Sequence, residues 1–134
     1  MILKTNDLNK NINYKIFLFH GINEGQKEEI LEKKFKTIFG ENIFIYYERE
    51  IFSDLENFYN QVLSKSFFEE NKLIIIKDAS DKIRDEIEIL KSKKLDEIKI
   101  ILICNILDKK SKLRNLFEKE KDLVSIAFYS DNNQ

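Results

Sequence analysis

The regular alternation of short apolar runs with helix-like segments is the feature that most constrains the fold of this 134-residue chain. Runs such as 73–77 (LIIIK) are apolar at successive positions, which is typical of strands buried on both faces of a sheet. A helical pattern fills every gap between the runs, and that alternation predicts parallel strands joined by right-handed crossovers. The predicted fold is a doubly wound α/β domain with a five-stranded parallel sheet. The predicted strands are residues 14–19, 43–47, 73–77, 98–104 and 123–129.

Local signals predict where the helices begin and end. The helix over residues 23–39 ends at Gly40, since glycine is the usual residue just past a helix C-terminus. Ser53 begins a sequence of the capping-box form, S-D-L-E, before the second helix. A third helix is predicted over 81–93, and Asp108 is predicted to cap the fourth. The apolar faces of the second, third and fourth helices consist of Leu55, Phe58, Tyr59, Val62, Ile83, Ile87, Leu90, Leu113, Leu116 and Phe117.

Composition excludes several classes of function. Lys plus Arg number 23 and Asp plus Glu 24, so the net charge of −1 argues against a protein that holds nucleic acid mainly by its own charge. The longest apolar runs, including residues 100–104, fall far short of the ~20 residues of a membrane span. The first residues lack a secretory pattern. A single cysteine and a single histidine allow neither an internal disulfide nor a metal cluster. We expect a cytoplasmic protein with no membrane partner and no cofactor.

The segment after the first strand, residues 19–28 (FHGINEGQKE), stands where a phosphate-binding loop would stand. Such a loop needs G-x-x-x-x-G-K-[ST], because the glycines expose backbone amides, the lysine meets the terminal phosphates and the hydroxyl holds Mg²⁺. Here the second glycine comes one residue early, and Lys27 does not follow a glycine directly. Glu28 replaces the hydroxyl residue, and the neighbouring glutamates add negative charge. This pattern predicts no ATP hydrolysis.

The third strand is followed by an acid, Asp78. In a Walker B site of an NTPase, an apolar strand also ends in an acid, and a second acid often follows it to orient the attacking water. Ala79 stands where a second acid would orient water, so the favoured interpretation is structural. In that interpretation Ser80 or Asp81 caps the next helix and Asp78 lies in the turn before it.

Other reactive side chains are also better explained by structure than by catalysis. His20 has no titratable partner that the sequence places near it, and we predict a packed or surface histidine. Cys104 ends an apolar strand and is predicted to be a buried small apolar residue. No nucleophile, base and orienting group can be assembled. Lys109, Lys110, Lys112 and Arg114 form a basic stretch early in a helix, for which a solvated face is favoured over contact with DNA.

The connector between the second helix and the third strand carries two adjacent aromatic residues, Phe67 and Phe68, in an otherwise polar sequence. Adjacent residues cannot share one face of a helix or a strand, so at least one of the two is hard to bury in this domain. Each offers ~150–250 Å² of apolar area. Two interpretations stay open: an aromatic plug for a pocket on a partner, or one ring under the sheet edge and the other over the helix end.

Three segments together resemble the N-terminal domain of the delta subunit of bacterial DNA polymerase III, the clamp-loader subunit. Residues 16–24 (IFLFHGINE) resemble its first strand and degenerate phosphate loop, and residues 66–68 (SFF) before strand 72–76 resemble its clamp-binding loop. Residues 107–114 and 126–129 resemble its last helix and strand. The likeness spans nearly the whole chain, and its specificity comes from the order and spacing of the three segments.

The resemblance implies a divergent AAA+ domain over residues 1–129 that neither binds nor hydrolyses ATP and has no active site of its own. Within a replicative DNA polymerase III it would bind and open the beta sliding clamp. Phe67 and Phe68 match the adjacent hydrophobic residues that enter the clamp pocket, with Ser66 beside them. The family often has a Gln five residues before the final Phe, whereas Leu63 stands there and Gln61 lies two residues earlier.

The resemblance also implies a lid domain and a helical collar outside these 134 residues, through which other clamp-loader subunits assemble. Residues 130–134 would then begin the linker to them. Contact with DNA would be indirect or weak.

Two alternatives compete with this interpretation. A degenerate phosphate-loop protein would bind ATP or GTP in a manner that depends on Lys27. A receiver-like signalling domain would use Asp78 as a phosphate acceptor, although the first strand lacks the required terminal acids and residues 123–129 contain no lysine.

Overall fold

A computed structural model describes residues 1–64 and 71–129. In this part of the chain six parallel strands form one sheet in the order β1-β6-β2-β5-β4-β3. The five predicted strands are present to within two residues at each end, and the predicted parallel α/β architecture is confirmed. The strands are β1 Ile2–Leu3, β2 Ile16–Gly21, β3 Ile43–Tyr47, β4 Lys72–Lys77, β5 Ile98–Ile103 and β6 Leu123–Phe128.

The centre of the sheet is β2, whose six residues are all buried. Phe17 pairs with Ile101 of β5 on one side and with Val124 of β6 on the other. Side chains that alternate along β2 therefore enter two separate apolar layers, which explains why this strand is apolar at successive positions.

Helices cover both faces of the sheet. Between β2 and β3 the chain forms α1 Glu24–Ile30, a π-helical segment Leu31–Lys36 and a short α2 Thr37–Phe39, and it turns at Gly40 with a φ of 58°. Between β3 and β4 lie α3 Glu48–Ser53 and α4 Leu55–Leu63. A 3₁₀ turn, Asp81–Ile83, leads into α5 Arg84–Lys91, and α6 Lys112–Lys119 joins β5 to β6.

One apolar layer lies between the sheet and α4, α5 and α6. It contains the predicted faces of these helices: Phe58 and Val62, Ile87 and Leu90, and Leu113, Leu116 and Phe117. The opposite layer packs the helical segment after β2 against the strands. There Phe35 stands edge-on to Phe17, with ring centroids 5.2 Å apart. The first helix therefore leaves β2 on one face while the later helices lie on the other.

Three local predictions were wrong. The sequence gives no strand signal at Ile2–Leu3, yet these residues form β1, which extends the edge beside β6. The six residues after β3 form α3, and Ser53 ends that helix; the cap of α4 is Asp54, whose carboxylate accepts from Asn57 N at 3.1 Å. Ser and Asp are both favoured N-cap residues. Asp54 is the cap of α4 because α3 extends through Ser53.

The cap of α6 was also misassigned. Ser111 Oγ accepts from Arg114 N at 3.1 Å, and Asp108 instead accepts from Lys110 N at 2.8 Å, in the turn before the helix. Among the described helices, none combines the length and the apolarity that crossing a membrane would require.

Candidate functional site

The carboxyl ends of β2, β5 and β6 meet at one edge of the sheet, where parallel α/β folds bind ligands. Gly21 ends β2 with a φ of +115°, and a Cβ built on it would lie 2.2 Å from Phe128 O. Gly21 is therefore required by the close passage of β6, not by an approaching phosphate. Asn23 caps α1 and accepts from Gln26 N at 2.9 Å, so the turn between strand and helix is fixed by protein contacts.

Lys27 is buried at the carboxyl edge of the sheet, between the ends of β2 and β5. Its side chain is 1% exposed and turns back toward the strand ends. Its ammonium donates to Gly21 O at 2.6 Å, to Cys104 O at 2.7 Å and to Glu24 Oε1 at 2.7 Å. An ammonium has three N–H groups, and all three are used. Lys27 thus joins the end of β2 to the segment after β5 and has no donor left for a ligand.

The acid at the end of β4 is placed as a turn residue. Asp78 is exposed and has a φ of 54°, while Ala79 is buried and its N–H donates to Ile103 O at 3.1 Å. The predicted capping by Ser80 is confirmed, since its Oγ accepts from Lys82 N. The sequence did not predict the role of Glu48, whose carboxylate accepts from Ser80 N at 2.9 Å and from Ser80 Oγ at 2.8 Å. Glu48 is thereby engaged in joining α3 to the turn after β4.

Asp81 serves a different helix from the one expected. Its carboxylate accepts from Ser111 Oγ at 2.5 Å and from Leu113 N at 3.1 Å, at the N-terminus of α6. Burial would raise the pKa of Asp81, but these hydrogen bonds and the nearby Lys112 outweigh it and lower that pKa. A cavity of about 480 Å³ beside this helix end is lined by both Asp81 and Asp108. Two carboxylates do not suit an anionic ligand.

His20 and Cys104 are packed residues, as predicted. His20 is 4% exposed, and its burial together with the nearby Arg114 lowers its pKa to about 4. Burial raises the pKa of the Cys104 thiol well above its usual range, so the thiolate is disfavoured. Neither group is poised for acid–base or nucleophilic chemistry near neutral pH.

The basic stretch divides into two kinds of residue. Lys109, Lys110 and Lys112 are exposed, in agreement with a solvated face. Arg114 is half-buried: its Nε donates to Glu118 Oε2 at 2.9 Å, and its Nη1 donates to Leu107 O at 2.8 Å. Arg114 therefore stabilises the turn before α6 rather than facing a ligand.

The connector that carries Ser66, Phe67 and Phe68 lies outside the described residues, but both of its flanks are described. Lys72, the first residue of β4, donates through Nζ to Gln61 O at 3.0 Å and to Ser64 O at 2.9 Å, at the C-terminal end of α4. The hydroxyl of Tyr46 donates to the side-chain oxygen of Gln61. Gln61 is thus a helix residue bound to β3, and Lys72 holds the two flanks of the connector together.

These features first define a class: a parallel α/β domain in which a buried lysine, Lys27, bonds the carboxyl ends of β2 and β5 together. The chain belongs to the family described as DNA polymerase III, delta subunit, whose sequence model matches residues 20–127. No curated protein sequence matches the chain.

The fold is similar to that of a solved clamp-loader protein. The Bacillus subtilis DNA clamp loader delta protein (YqeN) matches with a TM-score of 0.64 and 14% sequence identity. The match covers 92% of this chain and 41% of that one, so this chain spans less than half of the protein it resembles. At this identity the likeness establishes the fold.

The strand order also separates the alternatives. Numbered along the chain without β1, the strands lie in the order 5-1-4-3-2. A receiver domain has the order 2-1-3-4-5. The receiver-like interpretation, with Asp78 as phosphate acceptor, is therefore wrong.

Proposed function

We propose that this chain is the part of a non-catalytic clamp-loader subunit that binds the beta sliding clamp and helps to open it for loading onto DNA. Membership of the delta-subunit family is the observation that carries the proposal. Phe67 and Phe68 would insert into an apolar pocket on the clamp, with Ser66 beside them. Both rings belong to the connector between α4 and β4, residues 64–71, which is polar apart from this pair.

The described flanks support this role for the connector. Lys72 ties the end of α4 to the start of β4, and Tyr46 ties Gln61 to the sheet. Fixed ends restrict the positions that a short connector can take, which reduces the entropy lost when its side chains enter a pocket. Leu63 stands where the family often has the Gln that begins the clamp-binding stretch, and Gln61, two residues earlier, is a helix residue bound to Tyr46, so the aromatic pair would supply most of the affinity.

The occupied corner supports the second part of the proposal, that the domain works without a nucleotide of its own. All three N–H groups of the Lys27 ammonium donate to protein oxygens. The next residue is Glu28, so the Ser or Thr hydroxyl that would hold Mg²⁺ is replaced by a carboxylate. The degenerate phosphate-loop alternative needs Lys27 to reach a phosphate. ATP-dependent steps would then belong to other subunits of the loader.

The remaining partners follow from the same proposal. Other clamp-loader subunits would assemble through lid and collar domains outside this chain, and DNA contact would be indirect, in keeping with a net charge of −1. Such a replication protein would act in the cytoplasm.

Surface binding to an immobilised bacterial beta clamp tests the proposal. Phe67→Ala/Phe68→Ala should weaken binding at least about 30-fold, since one buried aromatic anchor contributes ~2–4 kcal/mol. The matched control is Ile22→Ala/Ile106→Ala, which removes two exposed apolar side chains at the carboxyl edge of the sheet and should bind as the wild type does. A folded wild type that fails to bind, or equal binding by the aromatic double variant, would contradict the proposal.

A further inference from the structure

Lys99 is a half-buried lysine near the start of β5, at the amino edge of the sheet. Its Nζ donates to Ile12 O and, at 2.9 Å, to Tyr14 O, both in the segment before β2. The ion pairs that the described residues form include none to Lys99. A neutral amine has two N–H groups and one lone pair, so these two carbonyls accept from every donor of the neutral form. Lys27 differs, because one of its three acceptors is a carboxylate.

A second lysine lies beside Lys99. Lys15 directly precedes β2, and its carbonyl oxygen accepts from Ile100 N at 2.8 Å, so the two lysines are neighbours across the β2–β5 pair. Burial of the Lys99 amine and the positive charge of Lys15 lower the pKa of Lys99 to about 8. The ring of Phe17, whose centroid is 5.6 Å from Nζ, attracts the ammonium only weakly at this distance. Desolvation and a neighbouring cation are features that make a lysine nucleophilic.

A cavity of about 410 Å³ lies beside the two lysines, which both line it together with Asn13 and Asn71. This volume is enough for a small molecule. Among the described residues that line the cavity, the one acid is Glu97, which is exposed. The lysines outnumber the acid, so the cavity favours a small anion over a small cation. Lys99 thus combines a nucleophilic amine with room for an anionic reagent beside it.

We propose that Lys99 is a modification site at which a small acyl phosphate transfers its acyl group to Nζ. The lone pair of the neutral amine attacks the acyl carbon, and the bond from that carbon to the phosphate oxygen breaks. Phosphate leaves with the electron pair of that bond, and the proton lost from Nζ passes to water. Lys15 supplies a positive charge that attracts the anionic phosphate group of the reagent.

Acylation changes what Lys99 can hold together. The product is an uncharged amide with a single N–H, so it can donate to only one of the two carbonyls. The other, Ile12 O or Tyr14 O, loses the donor that it has in the unmodified chain. A carbonyl that loses its partner weakens the fold around it, so the segment before β2 is held less firmly after modification.

Acetyl phosphate is the probe that tests this, used on the 134-residue chain near neutral pH. Initial acetylation rates of individual lysines are measured by mass spectrometry of peptides from one digest. Lys99 should react at least roughly tenfold faster than Lys119, an exposed lysine of α6, because a larger fraction of Lys99 is neutral. The Lys99 rate should also level off above about pH 8–9, whereas the Lys119 rate should go on rising to about pH 10.

Lys15→Met tests the part played by the neighbouring charge. It should slow acetylation of Lys99 at least about threefold, because it removes both the like charge and the attraction for phosphate. The matched control is Lys94→Met, which removes a lysine that is 84% exposed in the turn before β5 and should leave the Lys99 rate unchanged. Circular dichroism checks that both variants are folded. A Lys99 rate no higher than that of Lys119 would overturn the proposal, and an unchanged rate in Lys15→Met would overturn the role of Lys15.

Discussion

Replacing Lys27 by methionine tests whether the corner of the sheet is held by this lysine. The substitution removes the ammonium but keeps a flexible chain of similar length, so the apolar stem stays packed. It leaves Gly21 O and Cys104 O buried without their donor. Each buried carbonyl without a hydrogen-bond donor lowers the free energy of unfolding by about 1–3 kcal/mol. The variant also no longer buries a charged ammonium, and the desolvation penalty that it avoids offsets part of this loss. The contact to Glu24, which is 63% exposed, adds little.

We therefore expect Lys27→Met to lower the free energy of unfolding by about 2–4 kcal/mol. Urea denaturation followed by circular dichroism should show the midpoint falling by roughly 1–2 M with an unchanged slope. The control is Lys33→Met, which removes an exposed helix lysine paired with Glu29 at 2.6 Å and should change stability by less than about 0.5 kcal/mol. A lysine poised for phosphate would be dispensable for folding. Wild-type stability in Lys27→Met would show that this lysine does not hold the corner of the sheet together.

Three further predictions concern residues around the same edge, and a fourth concerns Lys72 at the start of β4. Gly21→Ala should destabilise the fold by about 2 kcal/mol or more in the same urea assay, because a Cβ would lie 2.2 Å from Phe128 O and φ is +115°; a neutral outcome would contradict this. The pKa of His20 falls from 6.5 to about 4 on folding, so the neutral form is favoured and stability is lost as pH falls from 6.5 toward 4, by up to about 3 kcal/mol. Between pH 6.5 and 5 the stability of His20→Gln should therefore vary less with pH than that of the wild type, and parallel curves would contradict the assignment. Ser111→Ala should cost about 1 kcal/mol of stability by removing the cap of α6, whereas Asp108→Ala should cost less; the reverse order would restore Asp108 as the cap. Lys72→Met should weaken clamp binding by roughly three- to tenfold while changing stability by less than about 1 kcal/mol, with partial rescue by Lys72→Arg; equal affinity would show that this tether does not position the connector.

The strands could be predicted because burial on both faces leaves a strong and local signal. Residues 73–76 are apolar at successive positions, and a run this short is typical of a strand that is covered on both faces. The order of the strands could not be predicted from alternation alone, since several parallel folds share it. The sheet order distinguishes this fold from the receiver-like one.

Short elements and caps were harder to predict. β1 consists of two residues whose pairing with β6 depends on a segment more than 120 residues away. α3 buries one apolar side chain, Ile51, so it has no amphipathic pattern. Ser53, Asp54, Asp108 and Ser111 are all suitable caps, and tertiary packing chose between them.

The role of Lys27 also depended on distant residues. The sequence showed that the phosphate-loop spacing fails at this lysine, but not where its side chain goes. One of its three acceptors, Cys104 O, lies 77 residues further along the chain. The same applies to Glu48 and Ser80, which are 32 residues apart and which no local motif connects.

Equilibrium binding of the chain to a bacterial beta clamp, measured with and without MgATP, tests the central claim most directly. We expect the same affinity with and without MgATP, and loss of binding in Phe67→Ala/Phe68→Ala. Binding that requires ATP, or that persists in the aromatic double variant, would contradict it. The first outcome would mean that the corner around Lys27 opens to nucleotide, and the second would place the clamp contact elsewhere on the domain.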